Sequence, residues 1–196
     1  MISQLCVLIL FLPMLCDLCD SCTRLKQIEG NTYLSPMQEK EISVRIRMYD
    51  SVSELPQADA DLIAESTKAL EKSYSPYSGF KVASAALLDN GAIISGANQE
   101  NASYPVCVCA EVVMLSACSA QHPGITIRKI AITTHSGKKQ GDSPKAPCGQ
   151  CRQTLLEYET RFKSNIEVIM CGENGQIYKV GSVRDLLPLY FSGSDL

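Results

Sequence analysis

Residues 147–151 read Pro-Cys-Gly-Gln-Cys, and 39 residues before Cys148 the chain reads Cys109-Ala110-Glu111. Each run opens a stretch of helical character, Cys109–Ala120 and Gly149–Tyr158. A helix N-terminus presents free N–H groups and the positive end of its dipole, both of which favour thiolates. Two such starts brought face to face offer three sulfurs to one zinc. Zinc takes about four ligands, and a catalytic site leaves one place for water. Glu111, two residues past the first sulfur, can face that water without ligating the metal and take its proton. The two runs together therefore predict a zinc centre with Cys109, Cys148 and Cys151 as ligands and Glu111 as the proton carrier. Cys107 precedes the predicted helix and is the rival ligand. Cys118 and Cys171 read as small buried hydrophobes, and His122 and His135 as surface loop residues.

Working outward from these runs, the chain alternates strand and helix signals. Ile42, Val44, Ile46 and Met48 alternate with polar residues from Glu41 onward, the period of a half-covered strand. Pro56 precedes a helical stretch with Leu62, Ile63, Ala69 and Leu70 on one side, ended by Ser75-Pro76-Tyr77-Ser78-Gly79. Lys81–Leu88 and Ala92–Ala97 are strands joined by Asp89-Asn90-Gly91, a strong hairpin turn. Asn98–Val108 is a polar and aromatic loop. Arg128–Thr134, Ile166–Cys171 and Gln176–Val180 are further strands, and Ser182 with Asp185 can start a short last helix. The expected fold is α/β, a three-layer α/β/α arrangement around a mixed five-stranded sheet.

With 196 residues the chain is long enough for one domain and a sizeable core. A net charge of −3, with no long basic run, argues against a nucleic-acid or anionic-membrane surface and for a small-molecule substrate. Ten cysteines stand against two histidines, and the cysteines are clumped, which favours metal ligation in a reducing, cytoplasmic compartment over a disulfide framework. Residues 1–36 look foreign to the rest and are expected to lie outside the domain, which is placed at 37–196. Leu5–Leu15 is apolar but too short to span a bilayer. It reads either as a signal-peptide core, which leaves secretion open, or as sequence upstream of a true start at Met37. Cys16, Cys19 and Cys22 in this leader read as a chance cluster.

Cys-x-Glu followed by Pro-Cys-x-x-Cys is the pattern of zinc-dependent nucleobase deaminases. The stretch from Tyr74 to Phe191 resembles the small, homotetrameric cytidine deaminases of pyrimidine salvage. Besides the metal runs it carries Ser75-Pro-Tyr-Ser-Gly-Phe80, Asn98-Gln-Glu-Asn-Ala-Ser-Tyr104-Pro105 and Leu186-Leu-Pro-Leu-Tyr-Phe191. The resemblance implies hydrolysis of cytidine and deoxycytidine to uridine and deoxyuridine with release of ammonia. It also implies that Asn98 and Glu100 hold the ribose hydroxyls and that Phe80 lies beside the base. Ala102 to Tyr104 and Phe191 are expected to reach a neighbouring subunit's site in a homotetramer. The chain departs from that pattern at Val112, where the family usually has Arg. The departure implies an electron-rich metal centre, with Arg152 expected to contact a sulfur instead, and it motivates the alternative of a weak or inactive zinc-stabilised assembly protein.

Overall fold

Helix α1 (Gln57–Ala69) begins where the sequence places it. The Pro56 carbonyl accepts the N–H groups of Asp59 and Ala60, and a short 3₁₀ turn, Leu70–Lys72, closes the segment. The computed structural model describes residues 37–136 and 143–196, so the leader and its cysteines lie outside the described residues. Residues 42–196 form one compact unit.

Six strands make one sheet: β1 (Arg47–Tyr49), β2 (Phe80–Leu88), β3 (Ile93–Ala97), β4 (Ile127–Ser136), β5 (Glu167–Cys171) and β6 (Ile177–Val180), in the order β1-β6-β5-β4-β2-β3. Only β4 and β5 run parallel. The expected five strands become six because Arg47–Tyr49 adds an antiparallel edge to β6, with Arg47 opposite Lys179 and Tyr49 opposite Ile177. That edge is shorter than the alternation from Ile42 predicts. β6 ends at Val180, opposite Ile46 in this register, so residues 42–45 run past its end, and Ile42, Val44 and Ile46 stand exposed.

The period of two along each strand sorts the core into two faces. Ala85, Ala131, Ile169 and Cys171 meet Leu62 and Ile63 of α1 on one side. The small alanines let the helix lie close. On the other side Ala86, Ile130, Ile132, Val168 and Met170 meet helices α2 (Ala110–Gln121) and α3 (Gly149–Phe162). The result is the expected α/β/α sandwich. α3 runs one turn beyond its predicted end at Tyr158, and the last predicted helix is a 3₁₀ turn, Val183–Leu186, with the Ser182 hydroxyl accepting the Arg184 N–H.

Two buried polar clusters tie the layers. Asp59 of α1, fully buried, accepts from Lys129 of β4 at 2.6 Å and Lys179 of β6 at 2.5 Å, and both lysines also face Glu167. Glu159 of α3 accepts from Ile166 N, Val183 N and the Ser182 hydroxyl. Among the described residues no helix is long and apolar enough to cross a membrane.

Candidate active site

Helices α2 and α3 cover the same sheet face, and the Tyr158 hydroxyl of α3 is fastened to the Leu115 carbonyl and Ser119 hydroxyl of α2. Their N-termini lie together. Cys109 is the N-cap of α2 and Cys148 the N-cap of α3, each with extended backbone and no side-chain capping bond. Cys151 sits one turn into α3, fully buried. The three sulfurs lie within 4.8 Å of one another, with Cys109 and Cys148 at 3.8 Å and Cys148 and Cys151 at 3.4 Å. A tetrahedral zinc with bonds of about 2.3 Å holds its sulfurs about 3.8 Å apart, so the spacing fits that ion.

The chemistry of the donor set fits as well. A hydrogen bond from Cys151, helped by one from Cys148, holds the Cys109 thiol at about 6 against the opposing effect of its partial burial. Cys151 is pushed the other way, first by its bond to that thiolate and then by burial. Three crowded sulfurs share too few negative charges on their own, and a dication lets all three ionise. Glu111 is buried beside them, and that burial raises its carboxyl above the usual range while a bond from Cys151 opposes the shift.

Cys109, Cys148 and Glu111 line a cavity of about 540 Å³ whose walls include Phe80, Val82, Asn98, Glu100 and Tyr104, with Cys151 buried behind them. Phe80 begins β2, and Asn98 and Glu100 follow β3, so the hairpin's open end delivers all three. Asn98 is heavily engaged. Its Oδ1 accepts from the Ser73 hydroxyl at 2.6 Å and Val82 N at 2.9 Å, and its Nδ2 donates to Phe80 O at 3.0 Å. An amide has two donor hydrogens, so one N–H remains. Glu100 accepts from Tyr77 N at 2.9 Å, from Ser78 N at 3.2 Å and from the Ser78 hydroxyl. The Ser78 hydroxyl, then the two backbone N–H groups, hold its carboxyl below the usual range. A carboxylate offers about four acceptor positions, so one remains.

Ala102 and Phe191 do not line this cavity. Tyr104 lies at its mouth, 69% exposed, with its ring 6.1 Å from that of Tyr77. The Phe191 side chain is exposed, and its carbonyl accepts from Gln153 of α3. Cys107 lines the cavity but stands apart from the sulfur cluster, accepting the Asn101 N–H at 3.2 Å. Cys118 and Cys171 are buried thiols, pushed up to about 11 and about 12 by that burial, as structural cysteines are. Arg152 departs from its expected role. Its guanidinium donates to the carbonyls of Pro147 and Leu186, each at 2.8 Å, and so pins the ligand loop to the last 3₁₀ turn.

Two features escape the motif reading. Ser78 lies within the run from Ser75 to Phe80, which ends a helix and carries part of the resemblance but assigns no role to this residue. Lys145 lines the cavity as its single cation among the described residues, and its place before the second cysteine run is the signal that could have marked it.

Comparisons with known proteins point the same way as the geometry. Residues 56–174 match the family model described as the cytidine and deoxycytidylate deaminase zinc-binding region. The cytidine deaminase of Sporosarcina psychrophila is 35% identical over 136 residues, 69% of this chain and 92% of that one. A Mycobacterium tuberculosis cytidine deaminase (strain H37Rv) is 35% identical over 105 residues, 53% of this chain and 74% of that one. In structure the chain is similar to the cytidine deaminase of Burkholderia pseudomallei, with a TM-score of 0.58 and 36% identity over 67% of this chain and 97% of that one.

Proposed function

The chain belongs to the cytidine and deoxycytidylate deaminase zinc-binding family, and from that premise we propose that it hydrolyses cytidine and deoxycytidine to uridine and deoxyuridine in pyrimidine salvage. The observation that carries the reading is a buried carboxyl, Glu111, beside three convergent sulfurs, two of whose residues line a nucleoside-sized cavity with it.

Cys109, Cys148 and Cys151 would hold the zinc, which would supply there the Lewis acidity that makes a water nucleophilic near neutral pH. Glu111 takes the first proton of the attacking water at its carboxylate and delivers it to N3 of the pyrimidine as C4 is attacked, then takes the remaining proton from the new C4 hydroxyl and passes it to the amine as the C4–N bond breaks and the C4 carbonyl forms. Burial suits the task, because a carboxyl above its usual range both accepts and releases a proton more evenly. Phe80 gives the flat base an apolar face. The open acceptor position of Glu100 and the open N–H of Asn98 grip a sugar hydroxyl, which donates to one and accepts from the other.

The reading extends to a homotetramer with shared active sites. Its support is the exposure of Tyr104 in the cavity wall and of Leu189, Tyr190 and Phe191 near the C-terminus, large groups that a neighbouring subunit would cover. The alternative of an inactive assembly protein is disfavoured by Glu111, since a buried carboxyl at the ligand cluster has no packing role that an apolar residue would not fill better.

Glu111→Gln in the full chain tests the chemistry. The variant should keep its zinc and lose roughly 10²–10⁴ in ammonia release, the contribution of a positioned acid–base group. Near-parental turnover in a zinc-loaded Glu111→Gln protein would move the proton role elsewhere.

A further inference from the structure

Glu100 is gripped from one direction only, by the turn that Gly79 closes. The Gly79 N–H bonds back to the Ser75 carbonyl at 3.0 Å, with φ at +69°, a left-handed value that glycine adopts without strain. This turn aims two backbone N–H groups, those of Tyr77 and Ser78, at Glu100 Oε2. Oε1 takes only the Ser78 hydroxyl. That hydroxyl is itself directed, because Ser78 Oγ accepts the Phe80 N–H at 2.9 Å. A hydroxyl has one hydrogen, and an ionised carboxylate can only accept. The chain of bonds therefore runs one way, from Phe80 N–H to Ser78 Oγ and from Ser78 O–H to Glu100 Oε1.

We propose that Ser78 is a positioning residue of this enzyme: through its hydroxyl it fixes the plane of the Glu100 carboxylate, so that the acceptor position left open faces a hydroxyl of the bound sugar. The inference rests on the reading of Glu100 as a sugar-binding group. With Ser78 in place both carboxylate oxygens are held and the group cannot turn about its last torsion. Without it, Oε2 stays anchored to the backbone and Oε1 is free to swing toward water. Ser78 is exposed, so its loss leaves no buried void. A purely structural role would show in folding. A positioning role shows in substrate affinity, because the sugar lies away from the reacting carbon and its grip contributes alike to ground and transition states.

The test is steady-state deamination of cytidine by the zinc-loaded full chain as Ser78→Ala, Ser78→Thr and Glu100→Gln, with melting temperatures for all three. Ser78→Ala should raise KM roughly tenfold, the effect of one charge-assisted hydrogen bond, with kcat and melting temperature near parental. Ser78→Thr, which keeps the hydroxyl, should restore KM. Glu100→Gln should raise KM at least as far. If Glu100→Gln raises KM while Ser78→Ala does not, Ser78 has no positioning role and the reading of Glu100 stands. A parental KM in Glu100→Gln removes the reading of Glu100 itself. Loss of melting temperature or of kcat in Ser78→Ala that Ser78→Thr does not rescue makes Ser78 a fold residue and overturns the proposal.

Discussion

Gly96 of β3 carries the tightest approach between sheet and site. A Cβ placed there would lie 2.4 Å from Met114 N, 2.8 Å from Ala110 O and 2.9 Å from Met114 Cα, against 3.4–4 Å for ordinary contact. All three are backbone-side atoms of α2, so no rotamer change relieves the clash. The helix start must withdraw by about 1 Å, and overpacking of this kind costs about 1–3 kcal/mol. For a domain of this size, 2 kcal/mol lowers the melting temperature by roughly 4–8 °C. Ala110 stands between Cys109 and Glu111, so the withdrawal carries the proposed metal ligand and the proposed proton carrier with it. A misplacement of about 1 Å can lower turnover by about 10²-fold. Gly96→Ala should therefore lose stability, zinc retention and kcat together, as read by thermal melts, metal analysis and ammonia release. Gly181→Ala is the matched control, since nothing lies within 4 Å of a Cβ there. A Gly96→Ala protein with parental melting temperature, zinc and kcat would refute the idea that this contact sets the site.

Cys148→Ala should lose most of its zinc and melt earlier, because metal binding and folding are coupled; full zinc by metal analysis would remove Cys148 from the ligand set. Asp59→Asn should lose about 1.5–3 kcal/mol in urea unfolding near pH 7, the worth of a hydrogen bond to a charged group, because Lys129 and Lys179 lose one carboxylate partner and are left with Glu167. Although burial alone would raise it, the lysine bonds hold the Asp59 carboxyl below 3.8, so the parental advantage is complete above that value and fades as pH falls through the folded one. The difference between the two proteins should thus shrink only in acid, and a difference that is flat with pH would show that the ion cluster is not its source. Asn98 and Glu100 have one open position each, and closing both on a single sugar hydroxyl predicts that of 2′-deoxycytidine and 3′-deoxycytidine one keeps most of the parental kcat/KM and the other loses roughly 10–100-fold; equal losses would mean that each position holds a different hydroxyl.

What could be read from the sequence was whatever a local pattern determines. The hairpin at Asp89-Asn90-Gly91, the two faces of β2 and β4, and the helix starts at Cys109 and Cys148 follow from turn chemistry and periodicity, both properties of adjacent residues. The sulfur cluster was legible because two short runs at helix starts carry their own electrostatic reason. What was not legible depends on partners far along the chain. Residues 42–45 alternate as a strand should, but β6 is too short to pair with them. Gly96 looks like an ordinary strand glycine until α2 is laid across it. Asp59, Lys129, Lys179 and Glu167 come from four elements and show no common pattern before folding. Arg152 stands next to a ligand in sequence, yet its fork reaches two carbonyls, because the loop before α3 and the last 3₁₀ turn leave them otherwise unpaired.

That placement of Arg152 bears on Val112. Three thiolates and a divalent zinc leave one negative charge, which an arginine at position 112 would offset and which Arg152, occupied elsewhere, does not. The helices themselves supply the balance. Each N-terminus acts as about half a positive charge within its first turn, and here both converge on the same sulfurs, with Cys109 and Cys148 as the N-caps. Two half charges offset one. Lys145, which lines the same cavity as Glu100 and Glu111, adds a further cation. Val112 is half-buried on α2, where its carbonyl accepts the Ser116 hydroxyl, and an arginine there would need to desolvate part of its stem. The fold thus tolerates valine at 112 through the feature that assembles the ligands: charge balance and ligand placement both come from setting two helix starts against each other.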